Sequence, residues 1–329
     1  MGENTQSRAP RTVSQVRDDD PLGQFRSELR AHCYRMLGSV HDAEDVLQEV
    51  SLRAWRGRER FEGRSSLRTW LHRIATNACL NELDRKERRV LPVEVSPASE
   101  TATPYEHPDH ELLWLEPFAD TPDEQAARSE SVELAFVAAV QHLPPNQRAA
   151  LLMFDVLGFS AQEIADAMDT TRASVNSALQ RARVIVEERL PPRSQAETLQ
   201  ALGEQGQREL VERYTRALEN ADMDELVKLL TEDATWSMPP LPSWYRGHDA
   251  IEAFLRAGPF RHRWKHVPVR ANGQLAVAAY WELEGEFTAY VIDVLDLRED
   301  RIASVTAFIG AEHFARFGLP PTLGRVSPR

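Results

Sequence analysis

The chain has 329 residues, 42% of them hydrophobic and 27% charged, with a formal net charge of −12. This length exceeds one small domain and calls for two or three. Its apolar runs all fall short of the roughly 20 residues of a membrane helix, and its two cysteines, Cys33 and Cys79, are too few for a disulfide framework and read as core residues.

In chain order, residues 1–21 are polar and lack the apolar stretch of a secretory signal; they are expected to be a disordered, cytoplasmic N-terminus. Residues 22–90 carry 14 basic and 10 acidic groups, so the acidic average hides a basic first unit. Leu22, Phe25, Leu29, Cys33 and Met36 recur at spacings of three and four, which predicts a helix with that stripe in the core. After Gly38-Ser39, a second helix turns Ala43, Val46, Val50 and Ala54 inward and Asp45, Gln48 and Glu49 outward. A third, over 65–80, buries Leu67, Leu71, Ile74 and Ala78 and displays Arg68, Trp70, Arg73, Asn77 and Asn81. A basic face interleaved with aromatic rings suits single-stranded nucleic acid; the alternative is an ordinary solvated helix face.

Residues 91–131 hold 10 acidic groups against 1 basic and contain six prolines, the composition of a linker. Within it His107 and His110 form an isolated HxxH, and no metal or cofactor site is expected there or elsewhere.

A second helical unit is predicted over 132–190. Ser160-Ala-Gln-Glu163 is a capping box that should open a helix over 161–168. Asp169-Thr-Thr171 follows as a turn, and a helix over 173–189 buries Val175, Leu179, Ala182 and Val186. Its other face offers Asn176, Ser177, Gln180, Arg181 and Arg183, groups that read base edges and hold phosphates in a major groove, so the pair reads as a helix-turn-helix.

Residues 191–204 are expected to be a linker, 205–320 an α+β domain and 321–329 a tail. Helical patterns at 207–230 and 247–255 precede strand-like runs at 275–283, 288–297 and 302–308, which suggests helices followed by an antiparallel sheet. Trp236, Met238, Trp244, Tyr245 and Trp281, with Tyr280 and Phe308, could line a pocket or simply pack the core. Asp222, Asp233, His248 and Asp293 are nominal acid–base candidates, but no acid–base pair is identifiable by spacing and no catalytic residue is assigned.

The motifs together resemble the sigma-70 family, extracytoplasmic-function group. Glu28-Leu-Arg-Ala-His-Cys-Tyr-Arg-Met-Leu-Gly-Ser-Val-His-Asp-Ala-Glu-Asp-Val-Leu-Gln-Glu49 is similar to regions 2.1 and 2.2 of that family. Phe61-Glu-Gly-Arg-Ser-Ser-Leu-Arg-Thr-Trp-Leu-His-Arg-Ile-Ala-Thr-Asn77 is similar to regions 2.3 and 2.4, and Leu143-Pro-Pro-Asn-Gln-Arg148 through Arg183 to region 4. Ala221-Asp-Met-Asp-Glu-Leu-Val-Lys-Leu-Leu-Thr-Glu-Asp-Ala-Thr-Trp236, Met238-Pro-Pro240 and Trp244-Tyr-Arg-Gly247 resemble a SnoaL-like cone domain, and Trp114-Leu-Glu-Pro-Phe118 resembles the linker motif of the sigma subgroup that carries such an extension.

The resemblance implies two all-α sigma domains followed by an α+β SnoaL-like domain. It also implies a non-enzymatic factor that binds core RNA polymerase, through the β′ clamp helices and the β flap, and promoter DNA. Position by position it assigns Asp45, Gln48 and Glu49 to the clamp helices. Phe61, Arg64, Trp70, Asn77 and Asn81 fall to the minus-10 element, with Asn77 lining the pocket for a flipped base. Asn176, Ser177, Gln180, Arg181 and Arg183 fall to the minus-35 element, although many relatives carry arginine at the position of Asn176 and an aromatic at that of Gln180. Two other readings are a one-component ligand-responsive regulator and an enzyme with a DNA-binding appendage; a strand-opening block at 61–77 has no use in the first, and no acid–base pair supports the second.

Overall fold

The computed structural model describes residues 22–325 except 62, 64, 103–106 and 121–131. The N-terminal segment, Arg64 and residues 326–329 therefore lie outside the described residues.

The first helical unit is built around α1 (Arg26–Leu37), in which eight of twelve residues are buried. It ends at Gly38, where φ is +68° and a Cβ would come within 2.7 Å of Leu115 Cδ2, so glycine meets both the left-handed turn and the close approach. Ser39 caps α2 (Val40–Gly57) by accepting the Asp42 N–H at 3.1 Å, and Ser66 caps α3 (Leu67–Leu83) through the Thr69 N–H at 3.0 Å. The inward stripe of α2 is buried as its spacing predicts. Leu67 departs from its expectation: as the first residue of α3 it sits beyond the core edge and is 45% exposed.

The second unit comprises α4 (Leu134–Gln141), α5 (Pro145–Leu151) running into a π-type turn Leu152–Val156, α6 (Ala161–Ala167) and α7 (Arg172–Glu187). The capping box forms: Ser160 N donates to Glu163 Oε2 at 2.9 Å and Glu163 N to Ser160 Oγ at 3.3 Å. Asp169 takes the turn with φ +50°, the conformation a glycine often supplies, and Thr171 caps α7. Val175, Leu179, Ala182 and Val186 are buried.

The segment 191–204, expected as a linker, is mostly helical. α8 (Gln195–Glu219) starts from a second capping box, Ser194 with Glu197, and is kinked at Gly203. Its start is fixed by Glu133, which accepts the Gln195 and Ala196 N–H groups at 3.0 and 2.7 Å, and by Gln195 Nε2 donating to Leu297 O at 2.9 Å. After α9 (Met223–Leu229) come β1 (Leu230–Ser237), β2 (Trp244–Arg246), α10 (His248–Ala257), β3 (Trp264–Ala271), β4 (Gln274–Leu283), β5 (Glu286–Arg298) and β6 (Arg301–Ile309). β7 (Thr322–Arg325), in the stretch expected to be a tail, pairs with β5.

The sheet order is β2-β1-β6-β5-β4-β3, and it is mixed rather than antiparallel, because β1 runs parallel to β6. Alternation along β4 shows how the sheet is used. Val277 and Ala279 face a core with α8, α9 and α10, whereas Ala276, Ala278 and Tyr280 join the apolar core of the first helical unit around Leu29, Tyr34 and Phe118. The sheet is covered on both faces, one by its own helices and one by the N-terminal unit.

The described part of the acidic stretch is bound rather than extended. Pro92–Val95 forms one helical turn, Val90 bridges Trp114, and Ala119 bridges Ala271 of β3. Among the described residues no helix is long and apolar enough to cross a membrane, and no cluster of three or more His, Cys, Asp or Glu is placed to hold a metal ion.

Candidate nucleic-acid interface

The outward face of α2 presents Asp45, Gln48 and Glu49, all exposed. Leu52 and Trp55 continue the same stripe at spacings of three and are 57% and 67% exposed. These two apolar side chains were legible from the same helical spacing that placed Glu49, and they turn a charged face into a mixed one suited to a protein partner.

The face of α3 is split between solvent and the second helical unit. Trp70 packs against Phe61 with the rings tilted 40° and their centroids 5.1 Å apart, and Asn81 is exposed. Asn77 is half-buried, its Nδ2 reaching Ala167 O of α6 at 3.5 Å, and Thr69 Oγ1 donates to Glu163 Oε1 at 3.3 Å. Arg68 Nε donates to Glu28 Oε1 at 2.8 Å while its Nη2 donates to Leu157 O at 2.9 Å, and the guanidinium lies 4.7 Å over the Phe159 ring. Arg68 therefore clamps the second unit rather than offering a free charge.

Deeper in the same contact, Arg148 is buried. It donates from Nη1 to Met36 O and to Gln141 Oε1 at 2.7 Å, and from Nη2 to Gln141 O at 2.9 Å. Gln141 in turn donates to Arg35 O at 3.1 Å. Burial pulls the Arg148 guanidinium down to about 10; the oxygens around it accept from Nη1 and Nη2, while Nε is buried without a hydrogen-bond partner among the described residues.

On α7, Asn176, Ser177, Gln180 and Arg181 are exposed together on one side of the helix. Arg183 is exposed but engaged: its Nε donates to Asp155 Oδ2 at 3.0 Å, and its guanidinium lies 5.4 Å over the Phe154 ring. Four of the five sequence-predicted groups thus form an open polar face, and the fifth is tied to the turn after α5.

In the C-terminal domain, Trp236, Met238 and Trp281 line a cavity of about 330 Å³, together with Asp293. Trp244 and Tyr245 do not. Strand alternation in β2 sends the Tyr245 ring onto Phe254 at 4.5 Å, and Trp244 Nε1 donates to Ser96 O at 2.8 Å. Tyr280 and Phe308 point to the opposite sheet face. Of the acid–base candidates, Asp222 caps α9, exposed Asp233 pairs with Arg298, and His248 Nε2 bonds Thr231 O at 2.9 Å.

Comparison with known proteins bears on these surfaces. The family description "Sigma-70 region 2" matches residues 22–89, "Sigma-70, region 4" matches 133–185 and "SnoaL-like domain" matches 211–305. Over 312 residues the chain is 44% identical to the ECF RNA polymerase sigma factor SigG of Mycobacterium tuberculosis H37Rv, a span of 91% of this chain and 83% of that protein. The chain belongs to the ECF RNA polymerase sigma factors.

This sigma factor is also 33% identical over 154 residues to the ECF RNA polymerase sigma-E factor of Haemophilus influenzae, covering 47% of this chain and 77% of that one. The crystal structure of the Mycobacterium tuberculosis extracytoplasmic function sigma factor SigJ superposes with a TM-score of 0.60 over 94% of this chain and 100% of that chain, at 22% identity. That likeness extends the shared fold to the whole of the sigma factor, SnoaL-like domain included.

Proposed function

We propose that this sigma factor binds core RNA polymerase and directs promoter recognition and melting, and that the arrangement described above is its closed, inactive form. In this reading Asp45, Gln48 and Glu49, extended by Leu52 and Trp55, dock on the β′ clamp helices. Phe61, Arg64, Trp70, Asn77 and Asn81 capture the minus-10 strand, with unpairing offset by stacking and hydrogen bonding in the pocket. Asn176, Ser177, Gln180 and Arg181 read the minus-35 element; Arg183 serves phosphate contact once released from Asp155. The chain acts in the cytoplasm, beside polymerase, as a non-enzymatic factor.

One observation carries the closed form: Asn77 on the minus-10 surface bonds Ala167, and Thr69 bonds Glu163, both on the first helix of the minus-35 module. The two promoter elements lie about 25 base pairs apart, roughly 85 Å of duplex at about 3.4 Å per pair. Helices in hydrogen-bond contact are unable to reach both at once, so the two units have to separate on polymerase. The SnoaL-like domain favours the closed form by holding the linker at Glu116 through Arg316 and the start of α8 at Gln195 through Leu297.

Run-off transcription with purified core polymerase on genomic fragments tests this reading. Discrete new start sites that depend on the protein are expected. DNA binding without core, and no new transcripts, would favour the one-component regulator instead.

A further inference from the structure

The cavity in the C-terminal domain has features that core packing does not require. Its volume of about 330 Å³ falls within the roughly 300–1,000 Å³ usual for small-molecule sites. Trp236, Phe254, Trp264, Trp281 and Tyr290 give it aromatic walls, with Trp281 and Tyr290 stacked at 4.5 Å. Asp293 is the one carboxyl among the lining residues, and it is 3% exposed. Its Oδ2 accepts from the Tyr214 hydroxyl at 2.9 Å, its single hydrogen-bond partner among the described residues. Burial pushes this carboxyl up to about 6, against the opposing effects of His266 and Tyr214. An acid with spare acceptor capacity in a chamber lined mainly by apolar and aromatic side chains, with His262 and His266 also among its lining residues, is costly as packing and useful as the polar anchor of a ligand.

Another part of the lining leads out of the domain. Met238 and Leu241 line the cavity and sit on the connection between β1 and β2. The backbone of that connection is where the linker is held. Asp109 N donates to Pro240 O at 3.0 Å and Ser96 Oγ to Pro242 O at 2.7 Å. At its far end Ser99 N donates to Trp244 O at 2.7 Å, and Trp244 Nε1 returns a bond to Ser96 O. One short segment is therefore cavity wall on one side and linker dock on the other.

We propose that the cavity binds a small uncharged ring compound whose single hydroxyl donates to Asp293, and that its occupancy is transmitted through residues 238–243 to the linker. The ligand shifts Met238 and Leu241, the carbonyls of Pro240 and Pro242 move with them, and the grip on Ser96, Ser99 and Asp109 changes. This inference rests on the reading that the linker helps to keep the sigma units closed.

The probe is 2-naphthol, titrated calorimetrically into the full-length chain, with hydrogen exchange followed at residues 96–99, 107–114 and 238–243. Saturable binding is expected, with exchange altered in all three segments. Naphthalene, lacking the hydroxyl, and the Asp293→Asn variant should each weaken binding by about tenfold or more, the effect of losing a hydrogen bond to a charged acceptor. Met238→Trp, which fills the chamber, should abolish it. Absence of saturable binding, or equal binding of naphthalene and 2-naphthol, would overturn the site. Binding with unchanged exchange in the linker would overturn the coupling. Neither readout involves polymerase, so failure here is separable from failure of the run-off experiment.

Discussion

Glu116 Oε2 lies 2.9 Å from Arg316 Nη1 of the SnoaL-like domain and also accepts the Val40 N–H at 3.0 Å, at the start of α2. Its Oε1 accepts the Ser39 hydroxyl at 2.8 Å. A linker carboxylate thus satisfies the free donors of a helix N-terminus, complements its dipole, and ties it to the C-terminal domain. Glu116→Ala should cost about 1–3 kcal/mol, because it leaves those N–H groups without their acceptor. Arg316→Ala leaves them satisfied and removes only the tie from Glu116 to the C-terminal domain. In run-off assays Arg316→Ala should therefore raise transcript yield a few-fold with little change in melting temperature; an unchanged or lower yield would argue that the contact does not restrain opening.

Asn272 should prove the most sensitive position between the sheet and the N-terminal unit. It sits at the tip of the β3–β4 hairpin with φ +56° and is fully buried. Its Oδ1 accepts the Phe118 N–H at 2.9 Å, while Nδ2 donates to the Tyr34 hydroxyl at 2.8 Å and to Val132 O at 2.9 Å. Asn272→Ala removes all three bonds and places a residue poorly suited to positive φ, for an expected loss of about 2–4 kcal/mol by chemical denaturation. Asn272→Gly relieves the backbone but not the bonds and should recover only part of that loss. Full recovery by glycine would mean that the side-chain bonds contribute nothing.

The helix-turn-helix was legible because its signals are local: the Ser160–Glu163 capping box and a four-three-four apolar stripe each determine one helix. The same kind of signal lay unread in Ser194–Glu197, where the polar composition of 191–204 outweighed it. Asn272-Gly273 was likewise a strong hairpin signal. What local pattern did not supply was the docking of the domains. The run Leu275-Ala-Val-Ala-Ala-Tyr280 has no polar alternation, and the structure gives the reason: one face packs on the domain's own helices and the other on α1 and the linker. The candidate pocket divided for a similar reason. Aromatic content named the residues, but strand alternation decided that Trp236 and Trp281 face the cavity while Tyr280 does not.

On α7 two arginines should behave differently. Arg181 is exposed and makes no hydrogen bond or ion pair among the described residues, whereas Arg183 is bound to Asp155. Arg181→Ala should cost about 1–3 kcal/mol at a preferred minus-35 site and less on unrelated duplexes. Arg183→Ala should weaken binding less, and equally on every sequence, with a shallower salt dependence. Binding titrations on matched and scrambled duplexes decide between these outcomes; an equal loss from Arg181→Ala on both would reduce its role to phosphate contact.

Acid should loosen the contact between the sigma units through His72 and His32. The His72 ring lies 5.6 Å from His32 and 5.4 Å from Phe159 of the second unit, and its Nδ1 donates to Arg68 O at 2.9 Å. Burial holds both rings below the ordinary 6.5; for His72 the Arg68 carbonyl and Glu28 oppose this, and for His32 the neighbouring His72 and Arg35 reinforce it. A histidine whose folded pKa is depressed is neutral in the closed form and regains its ordinary value when exposed. The stability it contributes is complete above about pH 6.5 and is lost progressively as the pH falls below that value toward the folded pKa. The melting temperature should thus fall between pH 7.5 and pH 5.5. His72→Phe, which keeps a ring against Phe159 but never charges, should show a smaller fall over the same interval. An identical fall in both proteins would assign the acid sensitivity to other groups.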